Sequence, residues 1–344
     1  MVFSRFRAGG ATGRVCNYTL QFAALGGLVC LINACAVDPS AVKSFSALAP
    51  DQTKLDALTQ AYADVPANLI DLDVLNRLSE TKRKELIEDE ATRKSQLSDI
   101  DGIHTVLVNY MKALGALADN TLVQTSTDTT TLTKGLTSLQ TAEPHLGITT
   151  AQITAVGDLS NLLGDAATSY YREKELSEII SQANAPFQEL IGAEQQIVSR
   201  GILPELQNEL DETRQLQEVT HALQIDNGRL VSEANVGETT RSKRHQKVLA
   251  SEQIDPALRG SGAADVASLF LLERAISSDS TTIEQQIQAA KDYSTALDNI
   301  SKAHAALYAA RNSVLSPAGA KSFIEQEGSV LKEAYTALQA LNKL

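Results

Sequence analysis

The stretch IDGIHTVLVNYMKALGAL, residues 100–117, decides the fold class. Its apolar residues Ile100, Ile103, Leu107, Tyr110, Leu114 and Leu117 follow one another at steps of 3, 4, 3, 4 and 3. That spacing keeps a single stripe on one face of a 3.6-residue helix, where a strand would alternate in twos. A stripe so regular is a seam for packing against partner helices, in the manner of a coiled coil.

Upstream of the seam the same helical pattern turns polar. Between Ser79 and Asp101, Glu80 with Lys84, Asp89 with Arg93 and Glu90 with Lys94 form (i, i+4) pairs in the favourable order. Leu86, Ile87 and Leu97 are almost the only apolar residues there. The stretch reads as a solvated helix face, with a charge-based docking surface at Lys84 and Arg93 as the sharper reading. Before it, Pro50 opens a helix carrying Leu55, Leu58, Tyr62 and Val65, and Pro66 is expected to end or kink it.

Downstream, Thr121 to Thr133 lacks a period and leads into a weak helix that runs to about Glu143. Thr149 and Gln152 form a capping box, opening a helix that is expected to reach Ile180. Asn184-Ala185-Pro186 reads as a turn. The next helix runs from Phe187 to a C-cap at Asn227-Gly228, and Pro204 should kink it near Arg200-Gly201. Residues 228–262 break the periodicity and hold a basic cluster, Arg241, Lys243, Arg244, His245 and Lys247. A short apolar helix is expected over Val266 to Ile276. Thr281 and Glu284 then cap a long one, and Ser316-Pro317 starts the last. The expectation is one all-α domain over 51–344, an elongated bundle of long antiparallel helices with coiled-coil-like seams.

The beginning of the chain is of another kind. Arg5, Arg7 and Arg14 precede an uncharged run from Val15 to Ala34, which has the layout of a secretory signal. It ends in Ile32-Asn33-Ala34-Cys35, and this resembles the lipobox of bacterial lipoproteins. The resemblance covers residues 1–35. It implies that 1–34 is a signal peptide cut before Cys35, that the Cys35 sulfur carries a diacylglycerol, and that the new N-terminus is acylated. Residues 35–50 then read as a flexible tether. Lipoproteins kept in the inner membrane carry Asp after the cysteine. Ala36 stands there, so the resemblance implies the outer membrane, facing the periplasm. The alternatives are an ordinary signal peptide cut near Ala34 or Ala36, and an uncleaved anchor. A spanning helix needs roughly 20 apolar residues, and this run is interrupted by Asn17, Gln21, Asn33 and Gly26-Gly27.

Composition narrows what the body does. With 42 acidic and 30 basic residues, the net charge of −12 argues against a nucleic-acid partner or a patch for anionic lipid. Cys16, Cys30 and Cys35 are the only cysteines, so a chain cut before Cys35 has no disulfide to rely on. Aromatics are 4% and Trp is absent, which suits an aliphatic core of closely packed helices.

The five histidines are scattered, and no two share the HExxH spacing. Glu218-x-x-His221 is half of a carboxylate di-iron motif whose second copy is missing, so no metal is expected. His304 falls on the stripe between Ile300 and Leu307. It reads as a core histidine satisfied by a carbonyl or a tyrosine hydroxyl, or more sharply as a ligand-contacting or pH-sensing group. Nucleophile elbows, phosphate-cradling glycine loops and CxxC pairs are absent, so no catalytic residue or cofactor is expected. The expected function is that of a non-enzymatic envelope lipoprotein, held to the membrane through Cys35, whose body binds or spaces an envelope protein partner. A carrier or sensor for a small apolar ligand near His304 is the alternative. A helical pore-former is third, because Val266 to Leu272 is too short to cross a bilayer.

Overall fold

The computed structural model describes residues 37–50, 52–73, 77–119, 121, 129–168, 173–233, 263–311 and 316–341. The stretch read as a signal sequence, Cys35 and the basic cluster at 241–247 lie outside them. The fold is all-α: among the described residues there is no strand.

A short helix α1, Pro39–Ser46, is capped by Asp38, whose carboxylate accepts from the Ser40 N–H at 2.9 Å. It is followed by α2 (Gln52–Asp71), α3 (Glu80–Ala118) and α4 (Thr129–Ala142). A 3₁₀ turn, Pro144–Leu146, then ends at Gly147, whose φ of 70° is the left-handed conformation that glycine adopts without strain. Helix α5 (Thr150–Thr168) starts at the expected box: Gln152 N–H donates to Thr149 Oγ1 at 3.2 Å, and Thr149 N–H donates to Gln152 Oε1 at 2.8 Å. Helix α6 (Glu173–Gln196) passes through a π-helical turn, Ile197–Ile202, into α7 (Leu203–Glu233). The last two are α8 (Ala263–Arg311), 49 residues and about 73 Å long, and α9 (Pro317–Leu341).

Contacts fix the chain directions. Asp64 pairs with Lys94 and Thr59 with Asp101, so α2 runs against α3. Gln188 bonds Ser301, Glu194 bonds Tyr293, Arg214 pairs with Glu284 and Gln224 bonds the Leu269 carbonyl. The α6–α7 rod therefore runs against α8 along its whole length. By contrast, His104 meets Tyr293 and Tyr110 meets His304, so α3 lies parallel to α8. The strictly antiparallel expectation is too simple at that pair. The 100–117 seam is the middle of the core: Ile103, Leu107, Tyr110 and Leu114 are buried there. A smaller apolar cluster of Leu216, Val219, Ala222, Leu223 and Ile276 holds α7 to α8 beyond the main core.

Several sequence expectations give way. The tether of 35–50 is not one from Val37 onward, because Val37, Ala41, Val42, Phe45 and Leu48 are buried in the main core. Pro66 neither ends nor breaks α2. Without an N–H, Pro66 leaves the Tyr62 carbonyl unbonded within the helix, and the Arg93 guanidinium supplies a donor to it at 3.3 Å. Asn184-Ala185-Pro186 lies inside α6; the carbonyl freed there belongs to Gln182, an exposed residue that water can reach.

The helix expected from Thr149 to Ile180 is two helices that fold back on each other. Gly192 of α6 lies so near Gln152 of α5 that a Cβ would come within 3.3 Å of its amide nitrogen. Asn227-Gly228 is internal to α7. The box at Thr281 does not form. The Thr281 and Thr282 hydroxyls bond back to the Ser277 and Ser278 carbonyls, and α8 continues unbroken. The expectation at Pro204 concerned the right place: the irregular turn falls on Ile197–Ile202.

Candidate functional site

Three polar constellations are built into this scaffold. The first rises from the seam. His304 of α8 is fully buried, and its Nε2 shares a 2.8 Å hydrogen bond with the Tyr110 hydroxyl. Phe187 stacks on the imidazole at 4.3 Å between centroids, and Phe45 meets it edge-on at 5.6 Å. Burial in this ring cage pushes the imidazole pKa down to about 3, so it is neutral. The residue is thus a core histidine with Nε2 paired to a tyrosine hydroxyl and Nδ1 buried without a hydrogen-bond partner. The rings of Phe45, Phe187 and Tyr110 surround it.

About 9 Å along α3 is a second buried group, which the sequence reading missed. His104 Nδ1 lies 2.9 Å from the Tyr293 hydroxyl and 3.5 Å from Glu194. The Tyr293 hydroxyl donates to Glu194 through a short hydrogen bond. A hydroxyl has one proton, so the His104 nitrogen that faces Tyr293 must be the donor. All three side chains are at least nine-tenths buried, one turn from the π-helical segment. The sequence signal was present: Glu194 sits on the stripe between Ile191 and Ile197, where an acid calls for a partner.

The third constellation lies where α2, α3, α7 and α8 come together. Arg93, expected on a solvated face, is buried. It bridges Asp89 at 2.8 Å and Glu205 at 3.0 Å and stacks over the Tyr62 ring at 4.6 Å. One turn along α7 stands Glu209, 4% exposed, with one carboxylate oxygen accepting from Asn68 at 2.8 Å and the other without a hydrogen-bond partner. Burial raises its pKa to about 7 against the opposing pull of the Asn68 bond, and the negative charges of Asp279 and Asp64 add to the rise. Glu209 borders an open cleft of about 300 Å³. Apolar walls come from Leu72, Leu216, Leu272, Ile276 and Ile283, and Asp71 and Asp279 sit at its edge. The cleft falls between the main core and the smaller cluster, where the stripes of α7 and α8 no longer meet over their full width. Here too a signal was legible, since Leu206, Glu209, Thr213 and Leu216 share one helical face.

Of the other candidates, His221 lies 3.4 Å from Glu273 and is exposed. No group of three or more His, Cys, Asp or Glu among the described residues is placed to hold a metal ion. No described helix is long and apolar enough to cross a membrane. No protein-family model matches the chain, and neither a curated protein nor a solved structure does.

Proposed function

We propose that the chain is an envelope lipoprotein anchored through Cys35, and that its helical body acts by binding or spacing another envelope component, without catalysis. The supporting observation is the junction between motif and body. Val37, two residues past Cys35, is already buried in the main core, and two residues span at most about 7 Å. An acylated Cys35 therefore holds α1 against the lipid headgroups, with no slack to let the body stand off. Attachment then rests on the acyl chains, each CH₂ contributing roughly 0.8 kcal/mol, and an acidic chain needs no basic patch to bind. The partner-facing surface on this reading is the exposed side of α3 around Lys84, which is more than three-quarters exposed. Arg93 is withdrawn from that surface.

Three measurements test this. Cys35→Ser should abolish fatty-acid labelling and release the chain from membranes; unchanged labelling overturns the anchor. A fluorophore on Ala47→Cys should be quenched by headgroup-attached nitroxides, and an unquenched signal overturns the close approach. A photo-crosslinker at Lys84 in the cell should capture one discrete envelope protein. If it captures none, the spacer reading is left.

A further inference from the structure

We propose that the cleft between α2, α7 and α8 is a binding site for an aliphatic polyamine, whose ammonium groups are recognised by Glu209, Asp71 and Asp279. The inference does not depend on lipidation of Cys35.

Four observations carry it. Glu209 is nine-tenths buried at the cleft and has a carboxylate oxygen that no protein donor satisfies. A buried acceptor left unpaired is costly, and a ligand N–H would relieve it. Second, the charges that line the cleft with Glu209 are negative, Asp71 and Asp279, while Lys94 of α3 is already paired with Asp64 at 3.3 Å. From α2 it faces Asn68, with Asp64 and Asp71 on the same helix, and from α8 it faces Asp279. The arginines nearby are engaged elsewhere, Arg93 with Asp89 and Glu205, Arg214 with Glu284, and Arg77 with Glu212. A cation must come from outside.

Third, the carboxylates come from three different helices and do not converge as metal ligands. Separated charges with Leu72, Leu216, Leu272, Ile276 and Ile283 between them fit several ammonium groups joined by methylene spacers. Fourth, the lining has no aromatic ring. Quaternary ammonium is held by aromatic cages, so this cleft is built for amines that still carry N–H. Thr282 and Gln286 offer further acceptors. A volume of about 300 Å³ is at the small end for ligand pockets, which suits a slender chain.

The test is calorimetric titration of the full-length chain with spermidine at low salt. Binding should be roughly tenfold tighter at pH 8 than at pH 6, because Glu209 must be ionised to pair while the amine keeps its charge throughout. Proton release should accompany binding at the lower pH. Glu209→Gln, an isosteric change that removes a buried charge, should weaken binding at pH 8 by roughly tenfold or more and abolish the pH dependence. Asp279→Asn, at an exposed position, should weaken binding and leave the pH dependence in place. Hexamethonium, a quaternary diamine, should bind far more weakly. The proposal is overturned if spermidine fails to bind the wild type at pH 8, or if Glu209→Gln binds equally well. Equal binding of hexamethonium, which would indicate attraction to acidic surface alone, overturns it too.

Discussion

His304 and Glu209 are both ionisable side chains removed from water on the apolar faces of long helices, yet their surroundings differ in kind. His304 is enclosed by Phe45, Phe187 and Tyr110, and the Tyr110 hydroxyl occupies its Nε2. Glu209 has one donor, Asn68, and is among the residues that line an open cleft. The first is closed, with rings packed around the imidazole and its unpaired Nδ1 inside them. The second is open, with apolar walls, acidic neighbours and an unpaired acceptor beside a cavity. Burial alone does not mark a site; burial with an unmet hydrogen bond beside a cavity does.

The largest expected effect breaks the sealed half of the comparison. Phe187→Ala removes a fully buried ring that stacks on His304 and contacts Tyr110 and Phe45. It should cost on the order of 3–5 kcal/mol by denaturant unfolding. Leu216→Ala, at the edge of the cleft and in the smaller cluster, should cost less, because a site already open on one side loses fewer contacts. Equal losses would mean that the cleft is as tightly packed as the core.

Next in size is the response to pH, where the two groups act in opposite directions. The His304 pKa falls from about 6.5 to about 3 on folding. Between these values the unfolded chain binds the extra proton, so stability is lost as pH falls, by about 1.4 kcal/mol per unit. The Glu209 pKa rises from 4.5 to about 7. Over that interval the folded chain holds the extra proton, so stability is lost as pH rises, with a similar slope and about 3 kcal/mol in all. From about pH 4.5 to 6.5 the two slopes offset each other. Unfolding free energy measured from pH 4 to 8 should therefore be flat in this window as far as these two groups set it. Glu209→Gln should unmask a rise with pH, and His304→Gln should unmask a fall. Parallel curves for both variants would show that neither group is buried as described.

How much of this was legible in the sequence depends on which interaction decides each point. The all-helical class and the core seam follow from 3.6-residue periodicity, a local property. Ile103, Leu107 and Leu114 are buried as their spacing requires. The cap at Thr149–Gln152 is equally local. The errors share a cause: local signals were overridden by partners distant in sequence. Pro66 stays inside a helix because Arg93, 27 residues on, supplies a donor to the orphaned Tyr62 carbonyl. Arg93 itself reads as solvated until Glu205 and Tyr62 are known to surround it. The residues after Cys35 have no helical period long enough to notice, yet eight of them form a helix that buries Ala41, Val42 and Phe45.

The histidine that was noticed, His304, proved the less informative of the buried polar groups. Glu194 and Glu209 were overlooked although each sits on an apolar stripe. An acid at such a position needs donors: Glu194 has Tyr293 and Glu209 has Asn68, each leaving one oxygen unpaired, but only Glu209 lines the wide cleft. Sequence spacing shows the position and not the partner, so only the fold separates the two.

The smallest effects sharpen the comparison at the level of single hydrogen bonds. Tyr110→Phe keeps the ring and deletes the hydroxyl, which leaves His304 without its one hydrogen bond in a sealed cage. Water cannot replace it there, so the change should cost about 1–3 kcal/mol, the penalty for stranding a buried polar group. Asn68→Ala is the matching change at the cleft, deleting the one donor to Glu209. At pH 5 Glu209 is protonated, the lost bond is between neutral groups, and Asn68 is itself exposed. The cost should then stay within about 0.5 kcal/mol. At pH 8 the carboxylate is charged, and losing the donor should cost about 1.5 kcal/mol or more, since bonds to charged groups are the stronger kind. The Tyr110→Phe loss should show no such difference between pH 7 and pH 8, because His304 is neutral at both. Unfolding free energies of Asn68→Ala at pH 5 and 8, and of Tyr110→Phe at pH 7 and 8, give the answer. A pH-independent loss for Asn68→Ala would mean that Glu209 does not change charge across this range, and the contrast between an enclosed buried group and one beside a cleft would fail at its most exposed point.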